Sequence, residues 1–145
     1  DHPSAIPSSC EVTLDARVSS AKEKERIYRS VDEICRKAYI PGTKTSYECY
    51  AAKYEGYLEN EAIRKLHAFV NAIAEELGQP AYGKCFRGGA ADSGNMAVAG
   101  IPVLCSCGIV GDFSHDRKEF ARIHTLFDRT KLFASVIARI DGFEV

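Results

Sequence analysis

Between residues 60 and 77 apolar side chains recur at helical spacing, and the pattern ends abruptly. Ile63, Leu66, Phe69, Val70, Ile73 and Leu77 fall on one stripe, Gly78 follows as a C′ candidate, and Pro80 blocks continuation. Two other stretches share this period. Over 21–38, Ile27, Val31, Ile34 and Cys35 form a stripe that Ser19 or Ser20 can cap and Pro41-Gly42 stops. Over 123–140, Leu126, Phe127, Thr130, Phe133, Val136, Ile137 and Ile140 are expected to face inward. A short helix is also expected from about Ser93 to Ala99.

The segments between these helices have a different rhythm. From Cys10 to Val18 the chain reads CEVTLDARV, so Val12, Leu14, Ala16 and Val18 alternate with polar residues, as in a half-buried strand. A second strand is expected over 43–50 and a third at Tyr82 to Phe86. The apolar run Ile101 to Cys105 reads as a buried strand. The expected fold class is therefore α/β. Strand–helix–strand occupies residues 1–54, and a mostly parallel α/β segment occupies 55–145.

Composition sets the bounds. The 145 residues suit one domain or two small ones, at roughly 100–200 residues per domain. A hydrophobic content of 46%, with 27% charged residues, is that of an ordinary globular protein. A net charge of −1 without a basic cluster argues against nucleic acid, and no apolar run is long enough to span a membrane. The chain opens Asp-His-Pro-Ser, with no leader-like segment. The six cysteines lie mostly in apolar patterns and read as buried, reduced thiols, which favours a cytoplasmic setting.

Candidate chemistry gathers between Arg87 and Phe120, RGGAADSGNMAVAGIPVLCSCGIVGDFSHDRKEF. His115, on a loop after an apolar run, is either an exposed loop residue or a metal ligand, since neutral imidazole is a common zinc donor. Asp92 follows Gly88-Gly89 and precedes a helix, so it is an N-cap, a carboxylate facing a site, or both. Cys105-x-Cys107 places two thiols on the same face of a strand, but the spacing is not C-x-x-C, and it is kept only as a third reading. His67 and His124 read as boundary and structural residues. Glu75-Glu76 reads as a solvated helix face. No His-x-Asp pair and no nucleophile elbow occur.

The block GGAADSGNMAVAGIPVL, continued by GIVGDFSHDRKEF, resembles the closing part of the zinc-dependent carboxypeptidase and deacylase family. That family includes glutamate carboxypeptidase, acetylornithine deacetylase and peptidase T. AIPSSCEVTLDARV is similar to a strand of the family's smaller lid domain, and the resemblance runs from about Ala5 to Ile140. It implies the second half of a ferredoxin-like lid that dimerises, over 1–54, followed by the carboxy-terminal part of the catalytic domain, over 55–145.

Residue by residue, the resemblance makes His115 one protein ligand of a two-zinc site and Asp92 the acid of a Ser/Thr-Asp step whose hydroxyl residue is here Ala91. Gly88 and Gly89 become the turn beside the substrate, and the lid's arginine-bearing loop, which meets the substrate carboxylate, falls near Lys53. The implied reaction is cleavage of an amide bond in a small peptide or acylated amino acid by metal-activated water. The other metal ligands and the catalytic glutamate pair of that family have no counterpart in the chain, so no catalytic residue is assigned within it and the chain alone is expected to be inactive. The alternative is a non-catalytic α/β module acting in dimerisation or partner binding.

Overall fold

Residues 3–50 and 54–144 are described by a computed structural model. Helix α1 spans Ala21–Cys35. Ser20 caps it, its hydroxyl accepting from the Glu23 amide at 3.3 Å, while the Glu23 carboxylate accepts from the Ser19 amide and hydroxyl at 2.9 and 2.7 Å. Helix α2 spans Glu61–Glu76, and the Asn60 side chain accepts from the Ile63 amide at 2.9 Å. The expected stop is realised. Gly78 takes a φ of +68°, and the amides of Gly78 and Gln79 bond the carbonyls of Glu75 and Ala74, both at 2.9 Å, which closes a Schellman motif.

A short helix, α3, covers Ser93–Val98. Strands β1 (Gly111–Asp112) and β2 (Phe120–Ala121) form an antiparallel pair, α4 runs Ile123–Ala138, and a 3-10 turn follows at Ile140–Gly142. The core lies where α2 meets α4. Val70, Ile73, Ala74, Leu132 and Val136 are buried there, with Leu66, Phe69, Leu77, Tyr82, Leu104 and Phe133 packed around them. Ala74, small and fully buried, lets α4 come close. A Glu76–Arg139 ion pair and a 2.9 Å bond from the Gln79 amide group to the Asp128 carbonyl fasten the two helices at their margins.

The α/β expectation is overturned. Helix makes up 40% and strand 3%, and the one sheet among the described residues has two strands. The strand–helix–strand unit expected in 1–54 and the mostly parallel sheet expected in 55–145 do not form. Segments 10–18, 43–50, 82–86 and 101–105 have no ladder hydrogen bonds. The physical reason is that alternation specifies an apolar face, whereas a strand also needs a neighbouring backbone to pair with. Val12 and Leu14 are correspondingly 70% and 75% exposed. Segment 43–50 instead meets α1 through side chains, with Tyr28 Oη 3.1 Å from Cys49 Sγ and the Tyr47 hydroxyl donating to Asp32 at 3.2 Å.

Helix α4 also differs from expectation. Of the inward set, Val136 is buried and Phe133 half-buried, and Leu132 joins them. Phe127 and Ile137 are 68% and 72% exposed. With Ile123 they lie on the side of the helix opposite Leu132, so α4 is apolar on two sides and α2 covers only one.

Two glycines bring backbones together near the middle of the chain. A Cβ on Gly56 would stand 2.2 Å from the Val18 carbonyl oxygen, and one on Gly94 would stand 1.9 Å from that of Glu55. The Glu55 carboxylate pairs with Lys24 of α1, and its amide donates to Asn95 Oδ1 at 3.2 Å.

Candidate functional site

The segment leading to α3 is open to solvent. Gly88 and Gly89 are exposed, and a Cβ on either would meet nothing within 4 Å. The Gly88 carbonyl accepts from Arg17 Nη1 at 3.1 Å. Asp15 holds the same guanidinium at 2.9 Å, and this hydrogen bond and charge raise the Arg17 pKa. Asp92 stands at the start of α3, but its backbone is already helical (φ −60°, ψ −22°) and its carboxylate makes no cap hydrogen bond. A capping side chain needs an extended residue behind it, as Ser20 and Asn60 provide. The exposed carboxylate therefore does not serve the helix. Ala91 beside it is half-buried.

His115 sits in the turn joining β1 to β2, exposed, with a left-handed φ of +69°. Phe113 shares this conformation at +60°. Such values are uncommon for residues with side chains. The turn is shaped by Asp112 Oδ1 and Asp116 Oδ1, which accept from the amides of Phe113 and Lys118, both at 2.8 Å. The Phe113 and Phe120 rings lie 6.1 Å apart across it. Gly111 is required where it stands, because a Cβ there would be 2.1 Å from the Phe120 carbonyl oxygen. Beside the turn is a shallow hollow of about 360 Å3, lined in part by Asp112, Ser114, Glu119 and Phe120.

His115 and Asp92 thus occupy separate exposed segments, and no hydrogen bond or ion pair joins them. Among the described residues no three His, Cys, Asp or Glu side chains gather closely enough to hold a metal ion. The residues present therefore do not make a zinc site of their own, and His115 offers a single donor. Lys53 lies outside the described residues.

The other readings resolve individually. Glu75 and Glu76 are exposed, Glu76 being the one paired to Arg139. His67 is half-buried and its Nε2 lies 2.8 Å from the Tyr82 carbonyl oxygen. The cysteines are free, but the expectation of burial is corrected: Cys10, Cys49, Cys85 and Cys105 are exposed, and Cys35 and Cys107 are half-buried. The apolar segments that carry most of them lack the pairing that would have covered them. Burial raises the Cys107 pKa and nearby Cys105 adds to this, while Arg129 opposes it.

Sequence reasoning missed the polar clamp on α2. Asn71 bonds both backbone groups of Tyr82, and the Arg129 guanidinium stacks 3.9 Å above the Tyr82 ring. The only signal was an amide one residue after Val70 in an otherwise apolar stripe. No helix among the described residues is long and apolar enough to cross a membrane. No family model, curated protein or solved structure matches the chain.

Proposed function

We propose that this chain is a segment of a cytoplasmic zinc-dependent metallohydrolase that cleaves an amide or peptide bond. In this reading His115 gives one metal ligand, while Asp92, Gly88 and Gly89 line the substrate side together with Lys53. The substrate class is a small peptide or an acylated amino acid, and the intact protein is a homodimer. The observation that carries the reading is His115 itself, an exposed imidazole held at a left-handed φ in the turn of a hairpin. Strain of this kind, of order 1–3 kcal/mol, concentrates where a side chain must be aimed. The Asp92 carboxylate, free of capping duty, supports it further.

The remaining metal ligands must come from polypeptide beyond these residues, because a catalytic zinc site takes about three protein ligands. The exposed apolar side of α4 gives the rival reading, a non-catalytic module for dimerisation or partner binding, its footing.

The test is co-expression of the chain with whatever polypeptide its gene encodes upstream of Asp1. Zinc content and hydrolysis of acylated amino acids and dipeptides are then measured with and without His115→Ala. The reading expects a His-x-Asp and an acidic pair upstream, and an activity loss exceeding about 100-fold, above that for removing a ligand's supporting partner. Unchanged zinc content and activity in His115→Ala would overturn it, as would tight stoichiometric zinc binding by the chain alone. An unrelated upstream sequence would favour the module.

A further inference from the structure

We propose that Cys105 and Cys107 form a reversible disulfide by exchange with a small external disulfide of the glutathione type. Both are free thiols, one exposed and one half-buried. In a regular strand, residues two apart sit about 6.6 Å apart at a rise of about 3.3 Å per residue. That is close to the outer limit of about 6.8 Å between Cα atoms that a disulfide tolerates. Here the chain is not regular. Ser106 takes a φ of +61°, so the backbone between the two cysteines leaves the extended course for which that spacing holds. The Cys107 thiol turns back over this bend, its Sγ lying 3.6 Å from the Leu104 carbonyl oxygen and 3.7 Å from that of Cys105. The second sulfur is thus already folded toward the first residue.

The two positions divide the work. Cys105 is exposed and meets an incoming disulfide, whereas Cys107 is partly sheltered and kept protonated by burial. The Cys105 thiolate attacks one sulfur of R–S–S–R, forms a mixed disulfide and releases RS−, which takes up a proton. Cys107 then loses its proton and attacks Cys105 Sγ, expelling the second RS−, which is protonated in turn. Overall, two protein thiols and one external disulfide give one protein disulfide and two small thiols, and the two electrons pass to the external disulfide. The ring closes the bend just before Gly108 and so fixes the chain that leads into the hairpin bearing His115. This inference does not depend on the hydrolase reading.

The test uses the whole chain. It is equilibrated with oxidised glutathione and quenched with an alkylating agent, and the mass of the peptide between Arg87 and Arg117 is measured. The expected product lacks both alkyl groups and two hydrogen atoms, and dithiothreitol restores full alkylation. Cys107→Ser should trap glutathione on Cys105. Cys105→Ser should leave Cys107 as reactive toward the alkylating agent as in the untreated chain. Cys10, Cys49 and Cys85 act as internal controls, each without a cysteine two residues away. Stable glutathionylation of Cys105 in the unsubstituted chain, to the extent seen in Cys107→Ser, would overturn the proposal. So would pairing of Cys105 with Cys85 or with a second chain. The peptide mass of the unsubstituted chain decides the matter even if a serine variant folds poorly.

Discussion

Asn71 satisfies both backbone polar groups of Tyr82, accepting from its amide at 2.7 Å and donating to its carbonyl at 3.1 Å. One side-chain amide therefore stands in for a neighbouring strand and pins the chain after α2 back onto that helix. Because the carbonyl oxygen can only accept, His67 Nε2 carries a hydrogen and adds a third bond. Replacing Asn71 by Ala leaves the half-buried Tyr82 amide without its partner and the Tyr82 carbonyl with His67 alone. We expect a loss of about 1–3 kcal/mol, seen as a lower urea midpoint with unchanged slope. Wild-type stability in this variant would show that water replaces the clamp without penalty.

The backbone of His115 leads to a prediction of opposite sign. Holding a residue with a side chain at a φ of +69° costs about 1–2 kcal/mol, which glycine avoids while adding roughly 0.5–1 kcal/mol of unfolded-state entropy. His115→Gly should therefore stabilise the chain slightly, by up to about 1 kcal/mol, while removing the proposed ligand. Thermal unfolding of the two proteins measures the difference, and a clearly destabilised variant would mean that the imidazole has a structural role.

The two sides of α4 should respond differently to substitution. Leu132 is fully buried, and Leu132→Ala is expected to cost about 2–5 kcal/mol through lost burial and the cavity left behind. Phe127 is 68% exposed, and Phe127→Ser should change stability by less than about 0.5 kcal/mol. Denaturation of both variants checks this. Comparable losses would mean that the outer side of α4 is covered in solution.

Acid sensitivity should trace partly to the start of α1. The Ser19 hydroxyl and amide hold the Glu23 carboxyl below its ordinary value of 4.5, with help from Arg26. A depressed folded-state pKa contributes stability above the unfolded value and loses it as pH falls through the folded one. Glu23→Gln should therefore be less stable than the parent near neutrality, and the gap should close as the solution becomes acidic. Urea midpoints across that range test the sign, and a gap that widens toward low pH would contradict it.

Signals written in a single segment were legible in the sequence. The spacing from Ile63 to Leu77, with Glu59 or Asn60 ahead of it and Gly78 behind it, located α2 closely, and the pair Ser19-Ser20 located the start of α1, Asn60 and Ser20 being the caps the structure uses. What depended on a second segment was not legible. Val12 and Leu14 alternate as a strand should, yet no ladder partner reaches them, and nothing in their own pattern reports that. The stripe on α4 was misaimed for a related reason. Phe127, Ile137 and Leu132 are equally apolar in sequence, and only the position of α2 selects among them. His115 and Asp92 could be picked out as chemically suggestive, but neither left-handed backbone at one nor a missing cap at the other follows from residue type.

The dipeptide Glu55-Gly56 is gripped on both sides, by the Val18 carbonyl on one and by Gly94 on the other, with Lys24 holding its carboxylate. A methyl group on either glycine would wedge these backbones apart, so the approach of the chain before α1 to the start of α3 rests on two absent side chains.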